Sequence, residues 1–401
     1  MSKVLTREYT TWESQFWPEG VPRTSKVSTF TLHEAILKRW ARKDPSATAL
    51  VEDRRAISYQ ELNEEVESLL EALKMNKGTV IVGLEKVADA LPTFMAASER
   101  GLTTIFVDQS IIDEVKKRLP KDLQPAIKVV KRNDLFATEG QKDVSPATSR
   151  PSYVLALWDQ ATVTVRTHTK LVASLSSFSD FFQLSQGSLT IVSEPLKDAL
   201  GLFQLLSVMY NGGTAVIAQG LQLQEYLRFV AEYRPSYLIL SGKLTKAIAG
   251  LYRSLNKTFS STSYALCPSK EISVEDQKGF QKLTGVQLLR CYLLNEVGIL
   301  LANHPQWNVM GSLGIPITNV EARMVDVSQE LVIGTGRRGY LIVNGPMVEL
   351  KQYGVKVSRL KMINVKGLFG DYGKGWLHTG EYVEMNCNGM FYLVEEALSS
   401  R

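Results

Sequence analysis

The chain has 401 residues, 44% of them hydrophobic and 22% charged, with a formal net charge of +5. That length exceeds one simple core and calls for two or three packed units, while the apolar content excludes disorder as the main state. With 46 basic against 41 acidic residues there is no aromatic-interleaved basic stripe of the kind that binds nucleic acid, and the most apolar stretch, Gly201 to Ala218, is broken by Gln204, Asn211 and Gly212–Gly213, so no membrane span is expected.

The polar start, Met1 to Thr11, carries no apolar signal core. Cys267, Cys291 and Cys387 are scattered, which fits free thiols in a cytoplasmic location. Four scattered histidines give zinc no support. In chain order, Leu32, Ile36, Leu37 and Trp40 have helical spacing, stopped at Asp44–Pro45. Two short strands then turn at Asp53–Arg54, and Ser58 with Glu61 forms a capping box for a helix through Leu62, Val66, Leu69 and Leu73. A strand at Thr79 to Leu84, a helix at Ala88 to Arg100 and a strand at Thr103 to Val107 follow, the alternation of a parallel sheet. Residues 131–151 read as a polar linker.

Alternation resumes with a strand at Tyr153 to Trp158, a helix from Lys170 to Gln183, a strand at Leu189 to Ser193 and a helix from Ala199 to Tyr210. It continues through about Leu301. Beyond Asn308 short strands at Glu321 to Val325, Gly339 to Val343, Tyr382 to Met385 and Phe391 to Val394 predict a small antiparallel barrel. The fold class is therefore α/β: two doubly wound α/β subdomains (1–150 and 151–307) plus a small β-barrel subdomain (308–401).

Residues Gly339 to Pro346, Gly375 to Glu381 and Gly389 to Val394, with Ile57 to Asn63 earlier, resemble in order the adenylate-forming, AMP-binding superfamily of acyl-CoA synthetases and peptide-synthetase adenylation domains. Trp17 to Pro22 is similar to the leader of its acyl-CoA synthetases. The resemblance implies ATP-dependent joining of a carboxylate to AMP, then transfer to a thiol. It also implies a C-terminal lid domain carrying a catalytic lysine; here the hinge position reads Glu395–Glu396, and the lid is expected to be absent.

Each family motif departs from its chemistry here. The glycine-rich phosphate loop, which turns backbone N–H groups toward phosphate oxygens, is replaced by Trp158 to Arg166, which lacks glycine and lysine. A tight hairpin at Asp159 to Thr162 is the economical reading, with Arg166 and Thr162 still able to meet an anion. The adenine and magnesium motif reads Tyr292-Leu293-Leu294-Asn295-Glu296. By resemblance Tyr292 stacks on adenine and Glu296 is the magnesium carboxylate and catalytic candidate. Asn295 replaces a threonine, and Leu293 a glycine whose absence of side chain lets the backbone approach a nucleotide. Read without the family, Glu296 is equally a surface acid at a helix start. Glu381 stands at the ribose carboxylate.

The acyl-pocket motif reads Pro195 to Gly201, with Asp198 in place of histidine; Asp198 and Gly201 are the acyl-pocket candidates. An aspartate there repels a carboxylate unless Lys197 pairs with it. These departures imply a chain that no longer adenylates and serves as a binding or partner subunit, its ligand an acyl, acyl-CoA or aryl acid, its partner a protein. The alternative is an active carboxylate–CoA ligase using ATP and magnesium, with the lid supplied by another chain.

Overall fold

The computed structural model describes residues 16–73, 78–83, 85–123, 127–130, 153–159, 162–268, 270, 272–332, 334, 336–350, 352–354, 360–365 and 375–394. The linker expected at 131–151 and the hinge position at 395–396 lie outside the described residues.

A π-turn at Glu34–Lys38 leads into α1 (Arg39–Lys43). Strands β1 (Thr48–Glu52) and β2 (Arg55–Ser58) form a hairpin whose turn residues Asp53 and Arg54 both have positive φ, as a two-residue turn matched to strand twist requires. In α2 (Tyr59–Ala72) the Ser58 hydroxyl accepts from the Glu61 N–H and the Glu61 carboxylate from the Ser58 N–H, the expected capping box. Its apolar stripe Leu62, Val66, Leu69 and Leu73 is buried, each side chain contributing about 1.5–3 kcal/mol. Next come β3 (Thr79–Val82), α3 (Val87–Glu99), β4 (Thr103–Phe106), α4 (Ile112–Arg118), β5 (Ile127–Val130), β6 (Leu155–Asp159) and β7 (Thr162–Arg166). They are followed by α5 (His168–Phe182), β8 (Leu189–Val192), α6 (Ala199–Tyr210), β9 (Thr214–Ile217), α7 (Leu223–Tyr233) and β10 (Tyr237–Ile239).

Then run α8 (Gly242–Ala249), β11 (Tyr264–Cys267), α9 (Val274–Thr284), β12 (Gln287–Leu294), β13 (Gly298–Ala302) and β14 (Ile315–Pro316). The last strands are β15 (Glu321–Val325), β16 (Arg337–Asn344), β17 (Gln352–Gly354), β18 (Lys361–Ile363), β19 (Trp376–Met385) and β20 (Phe391–Leu393).

Four sheets result. Strand orders are β2-β1-β9-β8, β17-β7-β6-β4-β3-β5, β10-β11-β12-β13-β14 and β15-β16-β19-β18, with β20 also on β19. The last sheet is antiparallel throughout and forms a curled half-barrel, while the other three each combine parallel pairs with an antiparallel edge. Sheets draw strands from distant stretches: β1 pairs β9, β6 pairs β4, and β17 pairs β7. For the two parallel pairs, β1–β9 and β4–β6, the physical reason is that a parallel neighbour must come from beyond a crossover; β17 joins β7 antiparallel.

Side chains lock these units together. The Tyr59 hydroxyl is shared between the carbonyls of Gly213 (2.7 Å) and Met209 (3.2 Å), and the Trp40 indole N–H donates to Tyr210 O (3.0 Å). The leader docks through Thr318, whose hydroxyl donates to Pro22 O, and through the Asn319 N–H, which donates to Arg23 O (2.9 Å). Among the described residues no helix is long and apolar enough to cross a membrane.

Candidate functional site

The β6–β7 hairpin is as tight as its sequence suggests. Pairing runs from Leu155↔Arg166 to Asp159↔Thr162, so two residues connect the strands. Its far edge is covered by β17, so β7 is a central strand rather than the lip of an open loop. The register leaves Arg166 at the end of β7, immediately before Thr167, which caps α5 by accepting from the Lys170 N–H. His168 is consumed in packing: its Nδ1 accepts from Leu32 N–H and its Nε2 lies 3.1 Å from Ser98 O.

Arg166 is 4% exposed. One terminal nitrogen donates to Lys170 O (3.1 Å), while Nε has no partner among the described residues. Burial depresses its pKa to about 10, opposed by the charges of Glu296 and Glu349. Asn295 and Glu296 lie in the turn that joins β12 to β13, not at a helix start. Asn295 is exposed, and the Glu296 carboxylate accepts from the Gln352 amide (3.2 Å), which also reaches Thr164. Glu296 therefore has an amide donor on it and a guanidinium nearby. Among the described residues no group of three or more His, Cys, Asp or Glu is placed to hold a metal, so a magnesium ion at Glu296 would draw its other oxygens from phosphate and water.

Across β12, Tyr292 is 1% exposed, and its ionisation is pushed up by burial and then by Glu381. Lys270, in the loop after β11, forms an ion pair with Glu381, and its ammonium sits 5.6 Å from the Tyr292 ring centroid. The structure thus brings Tyr292 and Glu381 together as the motifs imply, and adds Lys270 between them. Sequence reasoning missed this lysine, because nothing local marks its partner 111 positions away.

At the start of α6, Asp198 is the N-cap residue, exposed, with no side-chain cap bond. Partial desolvation raises its pKa against the pull of Lys197. The ion pair of Lys197 is with Asp108, not with Asp198. Gly201 is required sterically: a Cβ there would stand 2.3 Å from the carbonyl oxygens of Glu194 and Pro195. Neither Asp198 nor Gly201 lines the neighbouring cavity, which has a volume of about 30 Å³. Leucines and Phe203 wall it, with Arg166, Ser174, Leu293 and Asn295 also on its lining. Leu293 thus occupies space beside the site, as its substitution for glycine predicts. A second crevice of about 350 Å³ includes Lys86 and Lys197, whose ammonium groups already pair with Asp53 and Asp108.

Residues 163–351 match the family described as AMP-binding enzyme. Over that stretch the chain is similar to the adenylate-forming, AMP-binding enzymes. A 4-coumarate–CoA ligase-like protein of Oryza sativa subsp. japonica is 23% identical over 319 residues, covering 71% of this chain and 52% of the relative. A long-chain-fatty-acid–CoA ligase of Escherichia coli O157:H7 is 25% identical over 237 residues, 57% of this chain and 40% of the relative. The chain therefore spans about half the length of the curated relatives it matches. In structure it is similar to the N-terminal subdomain of Klebsiella oxytoca NpsA in complex with 3-hydroxybenzoyl-AMSN (TM-score 0.75, 16% identity, 91% of this chain and 100% of that one). It is also similar to apo MatB from Rhodopseudomonas palustris (TM-score 0.73, 16% identity, 92% and 79%). Both likenesses support the α/β fold with its half-barrel.

Proposed function

We propose that this chain does not adenylate and instead holds an acyl- or aryl-carboxylate ligand, acting as a binding or partner subunit in the cytoplasm. The observation that carries this reading is the β6–β7 hairpin: two residues connect the paired strands where a triphosphate needs a loop of free N–H donors. The Lys270–Glu381 pair over Tyr292 supports it, because the chain's own ammonium occupies the space between the residues that the resemblance gives to purine and ribose. Losing even one preorganised donor typically costs roughly 3 kcal/mol of transition-state stabilisation, so the combined losses predict negligible turnover. The ligand class extends from the relatives, named as coumarate- and fatty-acid–CoA ligases, and from the hydroxybenzoyl compound held by NpsA.

The retained Glu296 favours a second reading, an ATP- and magnesium-dependent carboxylate–CoA ligase with a lid domain supplied by another chain. Pyrophosphate exchange across a panel of fatty and aryl acids decides between them. Silence, with no calorimetric response to ATP–magnesium, is the expected result; exchange that disappears in Glu296→Ala overturns the non-adenylating reading.

A further inference from the structure

We infer that the outer face of α1 and α2 is self-complementary, and that a second copy of this chain docks on it, basic stripe against acidic stripe. The inference stands apart from the reading of the nucleotide and acyl motifs, because none of their candidate residues lies on either helix.

The sequence segregates charge onto two neighbouring helices. Helix α2 buries Leu62, Val66 and Leu69 and exposes Glu61, Glu64, Glu65, Glu67 and Glu71, with no lysine or arginine anywhere in it. At about 100° per residue these glutamates fall on one outward arc. The end of the π-turn and α1 answer with Lys38, Arg39, Arg42 and Lys43, while Trp40 turns inward. A 3.6 Å ion pair between Lys38 and Glu67 and the His33–Asn63 hydrogen bond set the two stripes side by side.

Neither stripe is neutralised within the chain. Among the described residues Glu61, Glu64, Glu65, Glu71, Arg39, Arg42 and Lys43 enter no ion pair. Ser58 caps Glu61, the Gln60 amide donates to Glu64, and Arg39 and Lys43 lie against the Trp40 ring, contacts that leave every charge in place. Glu61 and Glu65, Glu67 and Glu71, and Arg39 and Lys43 are like charges four positions apart, each a repulsive pair on a helix surface. Glu71 also stands in the last turn of α2, where the helix dipole disfavours an acid. The near balance of the two signs then selects the partner. A wholly basic or wholly acidic partner gains from one stripe and is repelled by the other. A second copy, turned about a two-fold axis along the boundary between the stripes, lays acid on base twice over. Because exposed charges build the contact, it is weak and salt-sensitive.

The test is sedimentation velocity on the purified full chain over a concentration series. At about 20 mM salt, where charges are felt over about 20 Å, dimer should accumulate; at about 500 mM, where that range is about 4 Å, it should dissociate. Glu64→Lys with Glu65→Lys and Glu71→Lys, which spares the Ser58–Glu61 cap, should leave the chain monomeric. Arg39→Glu with Arg42→Glu and Lys43→Glu should do the same. An equimolar mixture of the two variants should form a heterodimer about tenfold or more tighter than either variant alone, a recovery that misfolding cannot imitate. A parent that is monomeric at low salt overturns the inference, as does a dimer that high salt or both reversals leave intact. Variants with parental circular dichroism that stay monomeric on mixing overturn the two-fold pairing. Should the basic-stripe variant not fold, a dimer undiminished by the glutamate reversal is the overturning result. A monomeric parent that binds polylysine gives the face to a basic foreign partner and overturns the assignment to a second copy.

Discussion

The ion pair beside Tyr292 and the cavity at Arg166 treat their charged groups in opposite ways. In the first, Glu381 is paired by Lys270, which also covers the Tyr292 ring. In the second, Arg166 Nε and Ser174 Oγ are buried without a partner among the described residues. A buried polar group costs free energy unless something satisfies it. At Glu381 the chain supplies the partner itself, whereas Arg166 Nε, Ser174 Oγ and the Tyr292 hydroxyl are left without one among the described residues.

The comparison breaks most readily at Gly298. Gly298→Ala places a side chain at φ +110° and against Ser174 Oγ, and should cost about 3 kcal/mol in urea unfolding. Adding Ser174→Ala should recover part of that loss, since it removes the atom that is struck. A Gly298→Ala protein within about 0.5 kcal/mol of the parent would refute the close packing on which the open cavity depends.

Acid sharpens the comparison by loading a buried site that has no ligand role. His304 is stacked on Phe182, and its Nδ1 accepts from Gln306 N–H. Burial lowers its pKa to about 4, and burial lowers His33 and His378 in the same direction. The unfolded chain then binds more protons than the folded one below pH 6.5, so stability is full above that value and falls progressively toward pH 4. Urea midpoints at pH 7 and pH 5 should show the decline, and His304→Phe should flatten it. An unchanged slope would remove His304 as a cause.

The smallest effect is expected at Lys270. The ammonium end is half exposed, so Lys270→Ala should change stability by less than about 1 kcal/mol. It should also uncover weak adenosine binding that the parent lacks, measured by calorimetry. If the parent binds adenosine as well as the variant does, Lys270 is not what closes the crevice.

Much of the fold was legible locally. The Asp53–Arg54 turn, the Ser58–Glu61 capping box and the stripe through α2 each depend on residues within a few positions, where backbone sterics and helical spacing act directly. The β6–β7 hairpin was legible for the same reason, since alternation on both sides of Asp159 to Thr162 leaves a short connection. The candidate site was legible only as separate motifs. Glu296 read equally as a helix-start acid because a turn between β12 and β13 differs from a helix start only in what the following residues pair with.

Length, composition and local pattern by themselves determined the α/β class, the antiparallel end of the chain and the loss of a glycine-rich loop. Each follows from short-range sterics, periodicity or the presence of a residue type. Tertiary structure alone decided that Lys270 meets Glu381, that Gln352 holds Glu296, and that Lys197 turns to Asp108 rather than Asp198. It alone placed Arg166 and Ser174 on the lining of one cavity, with Arg166 Nε and Ser174 Oγ unpartnered among the described residues. Those pairings join residues 56 to 111 positions apart, across strand registers set by the packing of whole sheets, and no local preference specifies them.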